Sequence, residues 1–202
     1  MKSLRYFLAF CAILCVFFLG LLVFAPWQTI GAYGLDSFRL NAAKSGTYVH
    51  YDNFVADGGF SPVYRMRVFD IETPMARVSL SNVTVRILPF SSIFSFGGVC
   101  VVDFSGGTIT LVPNNKLELG SGHVKLAMTR KTFRATDAQF SGDVQLSGNL
   151  VYDMQMKKMI DSSIMFTVPE HIGTMLKNPI VARFLESNEK GEWRIRYEAQ
   201  NK

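Results

Sequence analysis

Apolar and polar residues alternate through most of the chain between Thr47 and Val168, and most clearly in the segment 140–156. There, apolar side chains occupy even positions and polar side chains occupy nearly all odd positions. Successive side chains of a strand point to opposite faces, so this segment predicts a strand with one apolar and one solvated face. Its 17 residues would extend about 55 Å, well beyond an ordinary strand. The apolar positions are Phe140, Val144, Leu146, Leu150, Tyr152, Met154 and Met156.

Similar alternation predicts further strands, and two of them change phase along their length. In the segment 76–88, Val78 and Leu80 are even whereas Val83 is odd, and the segment 115–128 changes phase at Gly120–Gly122. Bulges and glycines at such points bend strands, so we expect a curved antiparallel sheet. The predicted strands are 47–56, 63–71, 76–88, 92–104, 106–112, 115–128, 157–168 and 192–199, beside the long segment.

Helical spacing occurs in two places outside these strands. Pro169 suits a first helical position, and Ile172, Met175 and Leu176 form one apolar stripe. The segment 177–179 ends this helix and can start a second one, which would carry an apolar side made of Ile180, Val181, Phe184 and Leu185. Near the amino terminus, the segment 28–46 predicts a short helix or a loop at a membrane surface.

The amino-terminal run from Tyr6 to Trp27 predicts a membrane anchor. No charged residue occurs between Arg5 and Asp36, and 19 residues from Phe7 to Ala25 would span about 28 Å as a helix. The basic residues before the run place the short end in the cytoplasm. A cleaved signal peptide is the alternative, although Pro26 would hinder cleavage after Ala25. The anchor positions are Phe7, Leu14, Phe18, Leu22 and Trp27.

This pattern divides the chain of 202 residues into three regions. Residues 1–27 form a cytoplasmic stub with the transmembrane anchor, residues 28–46 a membrane-proximal linker or short helix, and residues 47–202 a periplasmic β-rich domain. The fold class is therefore mostly β: one transmembrane helix, then a curved antiparallel sheet or groove of jellyroll-like or taco-like form. One or two short helices follow near the carboxyl terminus.

Composition and charge exclude several classes of protein. Half of the chain is apolar and 18% is charged, so it is a folded protein rather than a disordered one. The net charge of +5 comes from scattered pairs, such as Arg130 with Lys131 and Lys157 with Lys158. No aromatic–basic recognition motif accompanies these pairs, so we expect no nucleic-acid partner.

No catalytic, metal-binding or cofactor-binding constellation is recognisable in the sequence. His50, His123 and His171 lie far apart and lack metal-ligand spacing, and the glycine pairs fit turns or bulges rather than a phosphate loop. Cys100 lies outside the anchor in an apolar strand, without an adjacent histidine, which is typical of a small core residue. We therefore expect a protein that is not an enzyme, needs no cofactor and acts by binding.

The apolar face of the segment 140–156 has two interpretations. It is either the packed core face of a sandwich or the open concave face of a groove that holds an acyl chain or a strand of a partner. Any half-buried sheet alternates in this way. The long strands with glycine interruptions and the proximity of a membrane favour the groove.

Several blocks of the chain resemble the type II secretion system protein N family and the related AsmA-like proteins. They are the amino-terminal span ending in Pro26-Trp27, the strand start Gly46–Val49, and the blocks 78–85, 107–111, 140–150 and 169–197. The resemblance implies a periplasmic β-rich domain hung from the bacterial inner membrane as an accessory part of the secretion machinery. It also implies membrane lipids and other envelope secretion or transport proteins as partners.

Two other functions stay open at this point. AsmA-like relatives imply lipid transport along a β-groove, and the lipopolysaccharide-transport C protein likewise combines one amino-terminal span with a β-jellyroll, although the helical segment 169–185 has no obvious place there. A structural assembly subunit with a fully packed apolar face would instead bind protein only.

Overall fold

A computed structural model of the chain describes residues 2–111, 115–177, 185–188 and 192–195, with every side chain in these ranges except those of residues 2–5, 7, 8 and 175. The helices within these ranges are α1 (Lys2–Phe24), α2 (Trp27–Ala43), α3 (Pro89–Phe94) and α4 (Glu170–Leu176). The first seven strands are β1 (Tyr48–Asp52), β2 (Val55–Asp57), β3 (Val63–Glu72), β4 (Ala76–Ile87), β5 (Gly98–Phe104), β6 (Gly106–Leu111) and β7 (Asn115–Met128). The remaining strands are β8 (Thr132–Gly142), β9 (Gln145–Asp153), β10 (Lys158–Ser162), β11 (Met165–Thr167), β12 (Leu185–Ser187) and β13 (Glu192–Ile195).

Within the described residues, all thirteen strands belong to one antiparallel sheet. Its main path has the order β1-β3-β4-β5-β7-β8-β9-β11-β13-β12, while β2, β6 and β10 extend it beside their neighbours. Each of these neighbouring pairs is antiparallel. The prediction of a mostly β, antiparallel fold with a short helix near the carboxyl terminus is therefore confirmed.

The predicted anchor positions lie at the amino-terminal end of the chain. Leu14, Phe18 and Leu22 are in α1, and Trp27 begins α2 and donates its indole N–H to the Leu22 carbonyl at 2.8 Å. Phe7 is also in α1, outside the residues whose side chains are described. Among the described residues, no helix alone has the length and apolar character of a membrane span. The segments 9–24 and 27–43 have that length and apolar character only when taken together, and a bend of 69° separates them.

Helix α2 replaces the short helix or loop predicted for this part of the chain, and it packs on the first strands. Gln28 donates to the Phe54 carbonyl at 3.1 Å and accepts the Ala56 backbone N–H at 2.6 Å. Further along the helix, Asp36 accepts a hydrogen bond from the Tyr51 hydroxyl at 3.2 Å. These contacts lie within the first ten residues of α2, and their order shows that this part of the helix runs along β1 and β2 in the opposite direction.

The predicted change of phase in β4 is present, but it arises without an inserted residue. Val83 belongs to the core cluster and Leu80 packs against it, although the two residues have opposite parity. The register between β3 and β4 is the same before and after Asn82, because Met66 pairs with Val83 and Val68 pairs with Ser81. Asn82 lies between them in the left-handed region, with φ of 52°. This single left-handed residue therefore changes which positions of β4 point to the core, from even before it to odd after it.

The prediction of one long strand through 140–156 is wrong, because the segment forms a hairpin. Strand β8 ends at Gly142, β9 begins at Gln145, and Phe140 pairs with Leu146 across the turn. Asp143 fixes the turn to β7 through two 2.8 Å bonds: its backbone N–H donates to the Glu118 carbonyl, and its carboxylate accepts the Glu118 N–H. Phe140 and Leu146 are six positions apart, so even positions stay on one face through the turn and alternation alone does not reveal it.

Two other predicted elements differ from the structure. The expected strand 92–104 begins only at Gly98, because Pro89 starts helix α3, which extends to Phe94. Near the carboxyl terminus, Ile172 lies in α4 as predicted and is buried, whereas Leu185 lies in strand β12 rather than in a second helix. Ile180, Val181 and Phe184 lie outside the described residues.

Gly142 and Gly148 occupy positions that no other residue fits. Their φ angles are +113° and +133°. A Cβ atom would lie 2.7 Å from the Gly120 backbone nitrogen at the first position and 2.8 Å from the Ile164 Cα at the second. Neighbouring backbone therefore approaches both glycines closely.

We expect Gly142→Val and Gly148→Val each to lower the free energy of unfolding by about 2 kcal/mol or more, through backbone strain and overpacking. Thermal and urea unfolding of the purified chain measure this. Gly98→Val is the matched control, since Gly98 lies in strand β5 with open space around a Cβ. Equal stability of all three variants would contradict the interpretation.

Candidate functional site

One row of side chains crosses the sheet from β3 to β13 on the face that carries the core. We call this face the inner face and the row the inner row. Its members pair with or directly adjoin one another on consecutive strands, so they lie side by side across the sheet. The inner row consists of Met66, Val83, Phe104, Gly122, Phe140, Leu146, Phe166 and Trp193.

Gly122 allows two strands that are not neighbours to touch across β7. The rings of Phe104 in β5 and Phe140 in β8 meet edge to face, with their centroids 5.3 Å apart. A Cβ at Gly122 would collide with the Phe104 ring and would lie 2.8 Å from Phe140 Cδ1. The missing side chain is therefore what brings the two rings together.

The buried centre of the inner face joins this ring contact to helix α2. Met66, Val83, Phe104 and Leu119 form the buried cluster, and Leu35 of α2 packs against it. Part of the inner face is therefore ordinary packed core, at the end of the sheet nearest β1.

The predicted groove residues divide into three groups in the structure. Phe140 and Val144 pack against the core cluster. Leu146, Leu150 and Tyr152 are partly buried, in phase with the inner face of β9. Met154 and Met156 do not continue that strand face, because they lie in the turn after β9 and are 42% and 61% exposed. The structure thus brings five of the seven positions together on the inner face.

Two shallow depressions lie over the same strands, and both include inner-row residues in their lining. One, of about 400 Å³, lies over β8, β9 and β11 and is lined by Gln139, Gln145, Thr167 and Glu192 together with Phe140, Leu146 and Phe166. The other, of about 470 Å³, lies over β5, β7 and β8 and includes Asp103, Ser121, His123 and Ser141. Ser121 and Ser141 lie 3.2 Å apart at their hydroxyl oxygens.

His123 and Asp103 form a pair that the sequence did not reveal. His123 Nδ1 lies 2.6 Å from Asp103 Oδ1, and both side chains are nearly half exposed. The residues are 20 positions apart, and the register of β5 with β7 places them opposite each other. Only a correct strand pairing would have predicted this contact.

The remaining candidates for a chemical role are the Cys100 thiol and groups of possible metal ligands. Burial raises the pKa of the Cys100 thiol, which disfavours the nucleophilic thiolate. No group of three or more His, Cys, Asp or Glu side chains that could hold a metal ion occurs in the described ranges. Among the described residues, the surface with a consistent chemical character is the apolar inner face.

The fold thus defines a class of protein in which an apolar amino-terminal helix is followed by one antiparallel sheet with an apolar face. The family model described as "Type II secretion system protein GspN-like, Synergistales" matches residues 4–197. The chain therefore belongs to this type II secretion family, as the resemblance in the sequence predicted. Comparisons with curated proteins and with solved structures gave no match.

Adjacent residues of β9 allow a test of the two faces. We expect Leu146→Asp to lower the free energy of unfolding by about 1–3 kcal/mol, because the carboxylate would lie between Phe140 and Phe166. Ser147→Asp, on the exposed face one residue further, should change it by less than about 0.5 kcal/mol. Urea unfolding of both variants measures the difference, and equal effects would show that the two faces are not distinct.

Proposed function

We propose that this chain is an inner-membrane-anchored accessory subunit of a type II secretion machinery, with its β-sheet in the periplasm, and that it acts by binding rather than by catalysis. The observation that carries this proposal is the extent of the family match. It begins at residue 4 and ends at residue 197, so it includes the apolar helix α1 as well as the sheet.

The proposed anchor is the apolar part of α1 that follows Lys2 and Arg5, and no charged residue occurs between Arg5 and Asp36. Residues 1–27 then form the stub and anchor, residues 28–46 the connection, and residues 47–202 the periplasmic domain. The break at Pro26 and the 69° bend that follows it fit a chain that turns at the membrane surface and continues as α2 along the sheet.

The proposed binding surface is the open part of the inner face, which would form a curved, taco-like groove. Leu146, Leu150 and Tyr152 keep partial exposure there, beyond the region covered by α2. In a secretion subunit, the fitting occupant is an apolar segment of another protein of the machinery. The groove would then act as a docking site during assembly.

A second candidate function is the transport of acyl chains along the same groove. Partial exposure on Leu146 and Leu150 favours it, because an apolar strip without directional hydrogen-bond donors suits a lipid tail as well as a peptide. The two functions share the surface and differ in the occupant.

The anchor can be tested by topology. We expect protease added to spheroplasts to digest the region after Asp36 while the chain stays whole in the membrane fraction of untreated cells. Mass spectrometry of the isolated protein then finds the segment 1–25 still attached. A domain that resists protease, or an amino terminus at Pro26, would contradict the proposal.

The groove can be tested by photo-crosslinking in cells, with p-benzoylphenylalanine in place of Leu150. We expect crosslinks to another subunit of the secretion machinery, and the same probe at Asn149, on the exposed face, is the matched control. Crosslinks from Leu150 to lipid would instead support acyl-chain transport. Equal crosslinking from both positions, or none from Leu150, would contradict a groove.

A further inference from the structure

Exposed aromatic side chains are concentrated in the loop that contains α3. Phe94 and Phe96 are 83% and 92% exposed, and Phe90 and Ile93 are more than half exposed. Large apolar groups clustered in this way mark a surface that contacts a partner or a membrane. The short helix holds them in one place, because Ser92 Oγ donates to the Leu88 carbonyl and accepts the Val99 N–H.

Two further turns join this loop to form a continuous edge. Gly97 lies against the Met128 carbonyl, and the Met154 N–H donates to the Lys131 carbonyl at 2.8 Å. The loops 88–97, 129–131 and 154–157 therefore emerge together at one end of the sheet. We call this edge the aromatic rim; its exposed apolar members are Phe90, Ile93, Phe94, Phe96, Met128, Met154 and Met156.

The charged side chains of the rim are all basic. Arg130, Lys131, Lys157 and Lys158 are exposed, and the loops 88–97, 129–131 and 154–158 contain no Asp or Glu. None of these four basic residues takes part in an ion pair within the described part of the chain. The adjacent Asp153 is buried and accepts the backbone N–H groups of the next turn at 2.8 Å.

The rim lies at the end of the sheet where α1 meets the domain. A Cβ at Gly58 would lie 3.3 Å from Trp27 Cδ1 and 4.0 Å from the Val23 carbonyl oxygen. The same loop contacts the strand that leads into α3, because the Ile87 N–H donates to the Pro62 carbonyl at 2.9 Å. An unbroken chain of contacts therefore links the end of the apolar helix to the rim.

From this arrangement we propose that the aromatic rim inserts into the headgroup region of an anionic bilayer, as a second membrane contact beside α1. This inference rests on the proposed membrane anchor. Aromatic and methionine side chains at loop tips enter the interface, and the basic residues bind acidic headgroups. The opposite end of the sheet, where the exposed Met75 lies, has mixed charge: Glu72, Glu118 and Asp143 occur there together with Arg77 and Lys116.

The test uses the full chain in nanodiscs of phosphatidylglycerol and phosphatidylcholine in equal parts. With p-benzoylphenylalanine at Phe94, we expect lipid crosslinking about fivefold or more above that of the same probe at Met75. Nanodiscs of phosphatidylcholine alone should reduce the Phe94 signal severalfold. Crosslinking at Phe94 that equals the Met75 level, or that is indifferent to the anionic lipid, would overturn the proposal.

A charge reversal separates the rim from the anchor. Lys131→Glu combined with Lys157→Glu should reduce Phe94 crosslinking to near the Met75 level, whereas Lys116→Glu at the opposite end should leave it unchanged. Carbonate extraction of the same membranes reports on α1 independently. A chain that resists extraction but gives no rim crosslink retains the anchor and refutes the rim, whereas a chain that is extracted refutes the anchor itself.

Discussion

The edge-to-face contact of Phe104 with Phe140, made possible by the absence of a side chain at Gly122, is the constraint on which the centre of the sheet depends. It joins β5 to β8 across an intervening strand, which backbone hydrogen bonding alone does not do. Met66, Val83 and Leu119 pack around it, and α2 adds Leu35 from the other side. The same contact places Phe140 beside Leu146, so the proposed groove begins where the packed core ends.

The strands were largely predictable from the sequence because a period of two directly reports a half-buried sheet. The hairpin within 140–156 was not, since Phe140 pairs with Leu146 and even positions therefore stay on one face through the turn. Helix α3 was also missed: it has only six residues, too few for the helical spacing of Phe90, Ile93 and Phe94 to stand out from a strand pattern. The change of phase near Asn82 was visible, but its cause, a left-handed residue in unbroken register, is a backbone property that side-chain patterns do not specify.

For the candidate sites too, the sequence predicted which residues of one strand share a face. It did not predict which residues of different strands lie in contact. The sequence grouped Leu146, Leu150 and Tyr152 correctly on one face. It showed His123 and Asp103 as unrelated residues, and it showed Lys131 and Lys157 as members of scattered pairs. Antiparallel pairing places the first two in contact and the second two at one end of the sheet. Charge counted along a chain therefore underestimates charge on a surface.

The order of the strands also affects how the chain reaches its folded state. Along β1, β3, β4, β5, β7, β8, β9 and β11, spatial order follows chain order, and most strands pair with a neighbour in sequence. Loop closure therefore costs little at each step, and every new strand has a completed edge to extend. A chain that emerges from its amino-terminal side can therefore build this sheet progressively, without waiting for its carboxyl-terminal end.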